Sequence, residues 1–341
     1  MTNILPFISI IIPCRNEEKF ISKCLDSIVV QDYPKDKIEV LVADGMSNDK
    51  TREIIKEYSR QHQYINLLDN TGEIVPTAMN IGIKAARGKW IVRLDAHSEY
   101  SKDYLKNCID TAKRTNADNV GGVVVTQQNG SSFGARCVQA ITTHRFGIGN
   151  ATFRLESIEK PVDTVPFGCF RSELFNRIGL YDERLVRNQD YEFNQRIIKT
   201  GGSIWLNPKI KTGYYNQSTL KGLFRQAFVT AEWLSWMWYV APYSFKVRHA
   251  IPVFFTLGLL SILIVLPFHS FGLYSLSVIF FPYFFLNLIS SCQQAVRYNW
   301  RIGLVLPFLF FFYHIVYGAG TLWGAIRLIV KSAPVQKIKE P

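Results

Sequence analysis

Apolar positions follow two regimes along this chain. Through the first hundred residues, short β-branched runs alternate with amphipathic stretches. Ile8-Ser9-Ile10-Ile11-Ile12 predicts a buried strand, and Ile21, Leu25 and Ile28 then recur at helical spacing. A second strand over Ile38–Ala43 precedes a helix over Thr51–Arg60, with Ile54, Ile55 and Tyr58 apolar. Ile65–Leu68 predicts a third strand, Thr77–Ala86 a helix and Trp90–Leu94 a fourth strand. Strands interleaved with helices of about 10–15 residues predict parallel βαβ units. Beyond Val120 the pattern loosens: Val120–Thr126 predicts a strand, Asp163–Phe170 an extended stretch and Tyr191–Lys199 a helix.

The second regime is apolar throughout. No Asp, Glu, Lys or Arg occurs from Ala250 to Val296, nor from Gly303 to Ile326. Three spans are predicted, at Ile251–Pro267, Gly272–Ser291 and Gly303–Leu322, with lengths suited to a hydrocarbon core of about 30 Å. Phe268–Phe271 would be a non-cytoplasmic hairpin and Arg297–Arg301 a cytoplasmic loop. The basic tail (Arg327, Lys331, Lys337, Lys339) then falls outside, against the positive-inside tendency; a break at Gly318-Ala319-Gly320 would remove the conflict. The expected organisation is a domain over 1–219, an amphipathic helix and basic linker over 220–249, membrane helices over 250–330 and a polar tail over 331–341. Leu220–Val240 is dense in Phe and Trp. Next to basic residues and before the spans, it suggests a helix lying in the bilayer interface; a core helix is the alternative.

Charge sharpens this division. The net charge of +12 is compatible with nucleic acid, anionic lipid or phosphorylated substrates. Between Lys199 and His249 seven Lys/Arg face one acid, Glu232, just ahead of the apolar region. That is the pattern of a cytoplasmic membrane flank, and no nucleic-acid-binding motif accompanies it. The six cysteines have no CxxC or metal-ligand spacing and read as free thiols in a reducing compartment. The run Phe7–Pro13 is too short for a signal-peptide core and reads as a strand.

Candidate chemistry collects where the strands end. The fourth strand delivers Asp95-Ala96-His97 to its carboxyl edge, where open α/β sheets bind ligands. If that segment is extended, Asp95 and His97 point to one face and can converge on a cation. Arg93 either joins Asp95 there or caps a neighbouring helix. A dinucleotide Gly-x-Gly-x-x-Gly and a Walker-type loop are both missing after the first strand, which argues against hydride transfer and P-loop phosphoryl transfer. Glu17, Asp44 and Asp190 are the other acids at predicted loops.

These acids stand in motifs that resemble inverting family 2 glycosyltransferases of the GT-A fold. Pro13-Cys14-Arg15-Asn16-Glu17-Glu18 resembles that family's first-strand motif, and Asp44-Gly45-Met46-Ser47-Asn48-Asp49-Lys50-Thr51 its Asp-x-x-Ser-x-Asp-x-Thr loop. Asn80-x-Gly82-x-x-x-Ala86-x-Gly88 matches the helix before the metal strand. Asp163-Thr164-Val165-Pro166-Phe167-Gly168, the run Asp182–Asp190 and Tyr313–Gly320 look like the succinoglycan-biosynthesis-type subgroup. The resemblance covers nearly the whole chain.

What it implies is a GT-A nucleotide-sugar-binding domain with a mostly parallel central sheet, followed by an α-helical membrane region. Pro13, Arg15, Glu17, Asp44, Ser47, Arg93 and Asp95 would bind the donor, with Asp44 on the nucleobase; a turn and helix cap is the other role open to Asp44 and Ser47. Asp95 and His97 would hold a divalent metal, Mn²⁺ or Mg²⁺. His97 stands where the family more often has a second Asp, and imidazole shifts preference toward Mn²⁺. Asp190 would be the general base, or only an N-cap of the helix that follows. Gln189 replaces the family's usual Glu beside it. Phe167, Gly168, Gln189, Arg225, Gln226 and Trp233 fall on the acceptor side. The Gln-x-x-Arg-Trp motif of processive relatives is absent, and three spans are too few to enclose a polysaccharide channel. His314 reads as a packed, hydrogen-bonded helix residue.

The expected activity is a membrane-anchored inverting glycosyltransferase of the cell membrane, with its catalytic domain cytoplasmic. Its donor would be a nucleotide-diphospho-sugar, a UDP-sugar first among them, and its acceptor a polyprenyl-linked or other glycan in surface polysaccharide synthesis. Membrane lipid is an expected partner and nucleic acid is not. A nucleotide-sugar-binding membrane protein without turnover is the rival from another class. A nucleotidyltransferase would need a basic, Gly-rich first loop, and Pro13–Glu18 has no glycine.

Overall fold

The computed structural model describes residues 5–149, 151–155, 157–265 and 271–334. The chain opens with β1 (Ile8–Cys14), α1 (Ile21–Val29), β2 (Ile38–Asp44), α2 (Thr51–Gln61), β3 (Ile65–Asp69) and α3 (Val75–Ala85). It continues with β4 (Trp90–Arg93), β5 (Ser98–Tyr100), α4 (Tyr104–Thr115), β6 (Asn119–Gln127), α5 (Phe133–Thr142), α6 (Arg145–Ile148) and α7 (Thr152–Leu155). Next come β7 (Lys160–Pro161), β8 (Cys169–Arg171), α8 (Ser172–Ile178), α9 (Gln189–Lys199) and β9 (Ile204–Tyr215). The helices α10 (Leu220–Val240), α11 (Val247–Val265), α12 (Phe271–Arg297) and α13 (Trp300–Ile329) complete it.

Two compact units result, residues 1–125 with 152–214 and residues 126–151 with 215–341. Among the described residues the sheet runs β3-β2-β1-β4-β8-β6-β9-β5, with β7 on β9. Strands β3, β2, β1 and β4 are parallel, whereas β8 returns antiparallel to β4. Alternate residues of β1 enter opposite cores, as the strand's two-residue period requires. Ile8, Ile10 and Ile12 pack with Leu25 and Ile28 of α1 and Leu105 and Ile109 of α4. Ile11 faces the other way, toward Met79 and Ile83 of α3. A Cβ on Gly82 would stand 2.5 Å from Ile11 Cγ2, so that glycine sets how closely α3 lies on the sheet. Both faces of β1 are therefore covered, which explains why Ile10, Ile11 and Ile12 are apolar in succession.

The second unit is helical. Segment 126–151, placed by sequence in the first domain, belongs here: Cys137, Val138, Ala140 and Ile141 of α5 pack with Leu223, Ile302, Leu306 and Phe310. Helix α13 runs unbroken through Gly318-Ala319-Gly320. The expected break is not present, and the small residues there instead let helices touch. Cβ atoms on Gly320 and Gly324 would come within 2.4 Å of the Phe228 and Glu232 carbonyl oxygens of α10. The tryptophan-rich stretch of α10 faces inward along this contact. Trp233 and Trp236 are buried edge to face at 4.4 Å, and Trp236 Nε1 donates to the Gly324 carbonyl at 3.1 Å. Arg327 pairs with Glu232 at 2.6 Å and covers the Trp236 ring, so it is not a free tail cation. His314 is held at both nitrogens, by Tyr283 Oη and the Phe146 carbonyl, each at 2.9 Å.

Helices α11 and α13 are long and apolar enough to cross a membrane. Large apolar side chains such as Phe254, Leu260 and Ile264 on α11 and Leu304 and Phe308 on α13 are exposed. The middle predicted span falls in α12, whose C-terminal half turns polar residues inward: Asn287, Ser290, Ser291 and Gln294 are buried, and Asn287 Nδ2 donates to the Pro307 carbonyl. The hairpin at 268–271 lies almost wholly outside the described residues, as does the tail beyond 334. All six cysteines are free thiols and only Cys292 is exposed.

Candidate active site

The first unit presents a cleft at the carboxyl ends of β1, β3 and β4. Pro13, Cys14, Arg15 and Glu17 line it from the β1 loop and Asp95 and His97 from the end of β4. Asn70, Glu73 and Ile74, between β3 and α3, and Val75 and Ala78 of α3 complete the wall. Arg15 and Glu73 form an ion pair at 2.6 Å, both about half exposed. The β3–α3 loop carried no motif; only its place after a third parallel strand could have marked it.

The β1 and β2 loops are fastened to each other through their polar residues. The Asn16 N–H donates to Ser47 Oγ at 2.8 Å, the Glu17 N–H to Thr51 Oγ1 at 2.8 Å, and the Asn48 N–H to Asn16 Oδ1 at 3.0 Å. Asp44 is fully buried beneath this zipper. Its carboxylate accepts from the Ser47 N–H at 2.9 Å, from Ser47 Oγ and from Arg52 at 2.7 Å. Asp44 and Ser47 are not among the residues that line this cleft, and their hydrogen bonds to each other and to Arg52 hold the β2 loop.

Strand β4 is one residue shorter than expected. Asp95 and His97 sit in a turn closed by the Ser98 N–H donating to the Asp95 carbonyl at 3.2 Å, not in an extended segment. The strand-period reason for their convergence therefore does not apply; the turn brings both to the cleft instead. His97 Nδ1 lies 3.1 Å from Glu17 Oε1. That hydrogen bond, reinforced by the charge of Asp95, raises the imidazole pKa above its ordinary value despite burial.

Arg93 does join Asp95. Only 5% exposed, it donates Nε to Asp95 Oδ1 at 3.1 Å, while its Nη1 has no hydrogen-bond partner. Burial works against its charge, but the carboxylates of Asp95 and Asp190 outweigh that, and the guanidinium pKa is raised. Asp190 is the second residue of α9, with Asn188 at the N-cap, so it is not itself the cap; its Oδ1 accepts from the Tyr191 N–H at 2.9 Å. Gln189 beside it is 6% exposed with Oε1 unpaired.

Buried amides set the position of α9. Asn194 Nδ2 donates to Thr164 Oγ1 and to the Val165 carbonyl, each at 2.9 Å, and Gln195 Nε2 to the Asp163 carbonyl at 2.8 Å. Asn80 of α3 bonds the Tyr181 backbone in both directions, at 3.0 and 2.9 Å. The subgroup-like runs near 163–168 and 182–190 are thereby tied to one another and to α3. Phe167 and Gly168 have φ of 64° and 99°. The Gly168 carbonyl accepts from the Arg93 N–H at 3.0 Å and the Phe167 ring meets Tyr100, which puts Gly168 against β4 and Phe167 against β5, on either side of Asp95 in sequence. Arg225, Gln226 and Trp233 belong to α10 of the second unit, where Trp233 is a packed residue.

Comparison with known proteins identifies the family. Residues 9–179 match the profile of Glycosyl transferase family 2. The chain is 30% identical over 329 residues to a dolichyl N-acetyl-alpha-D-glucosaminyl phosphate 3-beta-D-2,3-diacetamido-2,3-dideoxy-beta-D-glucuronosyltransferase of Methanococcus voltae, covering 94% of this chain and 98% of that protein. It is 31% identical over 221 residues to succinoglycan biosynthesis protein ExoA of Rhizobium meliloti (strain 1021), covering 64% and 66%. Among solved structures, mannosyltransferase PcManGT from Pyrobaculum calidifontis, in complex with GDP-Man and Mn²⁺, superposes with a TM-score of 0.63 at 18% identity, over 94% of this chain and 88% of that one. That likeness shows the GT-A-like fold. On the profile match and the near full-length relative together, the chain belongs to glycosyl transferase family 2 and is a glycosyltransferase.

Proposed function

We propose that this glycosyltransferase acts with inversion, moving a sugar from a nucleotide-diphospho-sugar to a lipid-linked glycan at the cytoplasmic face of a cell membrane. The observation that carries it is the assembly of Arg15, Glu17, Asp95 and His97 in one cleft, with Arg93 joining Asp95 to the charge of Asp190. The apolar helices α11 and α13 support membrane anchoring. The Methanococcus voltae relative is named for a dolichyl-phosphate-linked sugar acceptor, which supports an acceptor of that class here. A UDP-sugar is the first donor to test.

Asp190 takes the proton of the acceptor hydroxyl as the new C–O bond forms on the face opposite the diphosphate. A carboxylate at the start of a helix is stabilised by the helix dipole and still accepts a proton in the transition state. Arg15 exchanges Glu73 for the donor's negative charge. Asp44, through Ser47 and Arg52, fixes the loop that follows β2 beside the nucleoside pocket.

Among the described residues no cluster of three or more His, Cys, Asp or Glu could hold a metal alone. One carboxylate and one imidazole nevertheless fit a cation that takes its remaining ligands from substrate phosphates and water. Glu17 fits as well: an Nδ1–H donated to it orients the ring and leaves Nε2 as the ligand atom. A divalent ion held by Asp95 and His97, Mn²⁺ or Mg²⁺, would neutralise the departing diphosphate.

The test is the full-length protein in nanodiscs, given a panel of nucleotide sugars and native lipid extract. Inversion predicts a lipid-linked product of opposite anomeric configuration. Retained configuration overturns the mechanism, and donor binding without product favours the non-catalytic rival. Asp190→Asn should lower kcat by about 10²–10⁴-fold while donor binding persists.

A further inference from the structure

Asp95 lies past the last residue of β4, so its backbone N–H has no place in the sheet ladder and needs another partner. Tyr100 supplies it. The Asp95 N–H donates to Tyr100 Oη at 2.6 Å, and the same hydroxyl donates to the Asp95 carbonyl at 3.2 Å. One side chain thus grips both polar backbone atoms of the residue whose carboxylate enters the cleft. Nothing in the spacing of the Asp95–His97 motif announces this contact.

The grip is itself supported. Tyr100 is 5% exposed and ends β5, which β9 holds antiparallel with Tyr100 opposite Thr212. Its ring meets Tyr104 edge-on at 5.0 Å and Phe167 at 6.2 Å. Phe167 takes a left-handed backbone conformation, φ 64°, that a bulky side chain rarely adopts. Such a conformation persists only where the surroundings impose it, and here it sets an aromatic edge against Tyr100.

We propose that Tyr100 is a positioning residue: by fixing the Asp95 backbone it sets the direction in which that carboxylate meets a divalent cation bound with the nucleoside diphosphate. This rests on the assignment of Asp95 as a metal ligand made above. Groups that orient a ligand without touching the ion typically account for about 10–100-fold in metal affinity or activity.

The experiment compares Tyr100→Phe, Tyr104→Phe and Asp95→Ala with the wild type, all as full-length protein in nanodiscs. Mn²⁺ affinity is read by electron paramagnetic resonance in the presence of UDP, and thermal unfolding is recorded in parallel. Tyr100→Phe should weaken Mn²⁺ binding about 10–100-fold while UDP binding without metal is unchanged. Tyr104→Phe removes a neighbouring buried hydroxyl that does not touch Asp95, so it should lower stability and leave Mn²⁺ affinity alone. Unchanged Mn²⁺ affinity in Tyr100→Phe overturns the proposal, as does equal loss in both tyrosine variants. A Tyr100→Phe chain that fails to fold also counts against it, since the hydroxyl's role is then structural. Asp95→Ala with wild-type Mn²⁺ affinity would instead remove the underlying metal assignment.

Discussion

Arg93 and Asp95, two residues apart on and just past one strand, form a nearly buried ion pair with Nε 3.1 Å from Oδ1. The guanidinium also feels the charge of Asp190, on a helix almost a hundred residues later. One cation thereby joins the donor end of the site to the candidate base. Arg93→Gln should reduce kcat by about 10²-fold or more and lower stability by about 3 kcal/mol, because removing one partner leaves a partly buried carboxylate uncompensated. Arg93→Lys should recover little, since an ammonium cannot reproduce the planar fork. Steady-state transfer rates with thermal unfolding would check both; full activity in either variant refutes the linkage.

Asn194 holds α9 to the extended run before Gly168 through Thr164 Oγ1 and the Val165 carbonyl. Asn194→Ala strands buried acceptors and should cost about 2–3 kcal/mol. The same loosening displaces Asp190, so kcat should fall more than the donor KM rises. Equal kcat with a lowered melting temperature would confine Asn194 to stability.

In the helical unit, α13 meets α10 at Gly320 and Gly324 with no space for a methyl group. Gly320→Ala is expected to destabilise the unit by about 1–3 kcal/mol, as overpacking does, even though alanine is the better helix former. Helical ellipticity followed through heating in detergent would show it. A rise in melting temperature would mean that the two helices are free to separate.

Acid stability has a local contributor in Asp182. Burial alone would raise its pKa, but hydrogen bonds from the Arg184 backbone and side chain outweigh that and depress it. A depressed folded-state pKa stabilises above the ordinary carboxylate range, and the contribution is lost as pH falls through the folded value. Asp182→Asn should therefore be about 1 kcal/mol less stable than wild type at pH 7 and approach it on acidification. Denaturant midpoints at several pH values measure the difference; a gap that persists at low pH excludes the linkage.

Much of this site is legible without coordinates. Parallel strands with polar carboxyl ends locate the loops, and Arg15, Glu17, Asp95 and His97 share one cleft as their motifs imply. Asp44 was less transparent, because an acid at the end of a strand reads alike whether it meets a ligand or is sealed under Ser47 and Arg52. The extended geometry assumed for Asp95–His97 also misled, since the strand stops at Arg93 and a turn takes over.

Period and motif, which are local properties, determined the βαβ order, the apolar C-terminal region and the family. Contacts between distant residues were decided by tertiary structure alone. Tyr100 closing on the Asp95 backbone, Asn80 on Tyr181, and Arg93 within reach of Asp190's charge depend on how strands and helices stack, which no spacing encodes. The tryptophans of α10 make the same point. Their density is visible in sequence, but whether they face lipid or Gly324 depends on which helix lies alongside, and two glycines on α13 bring that helix into contact.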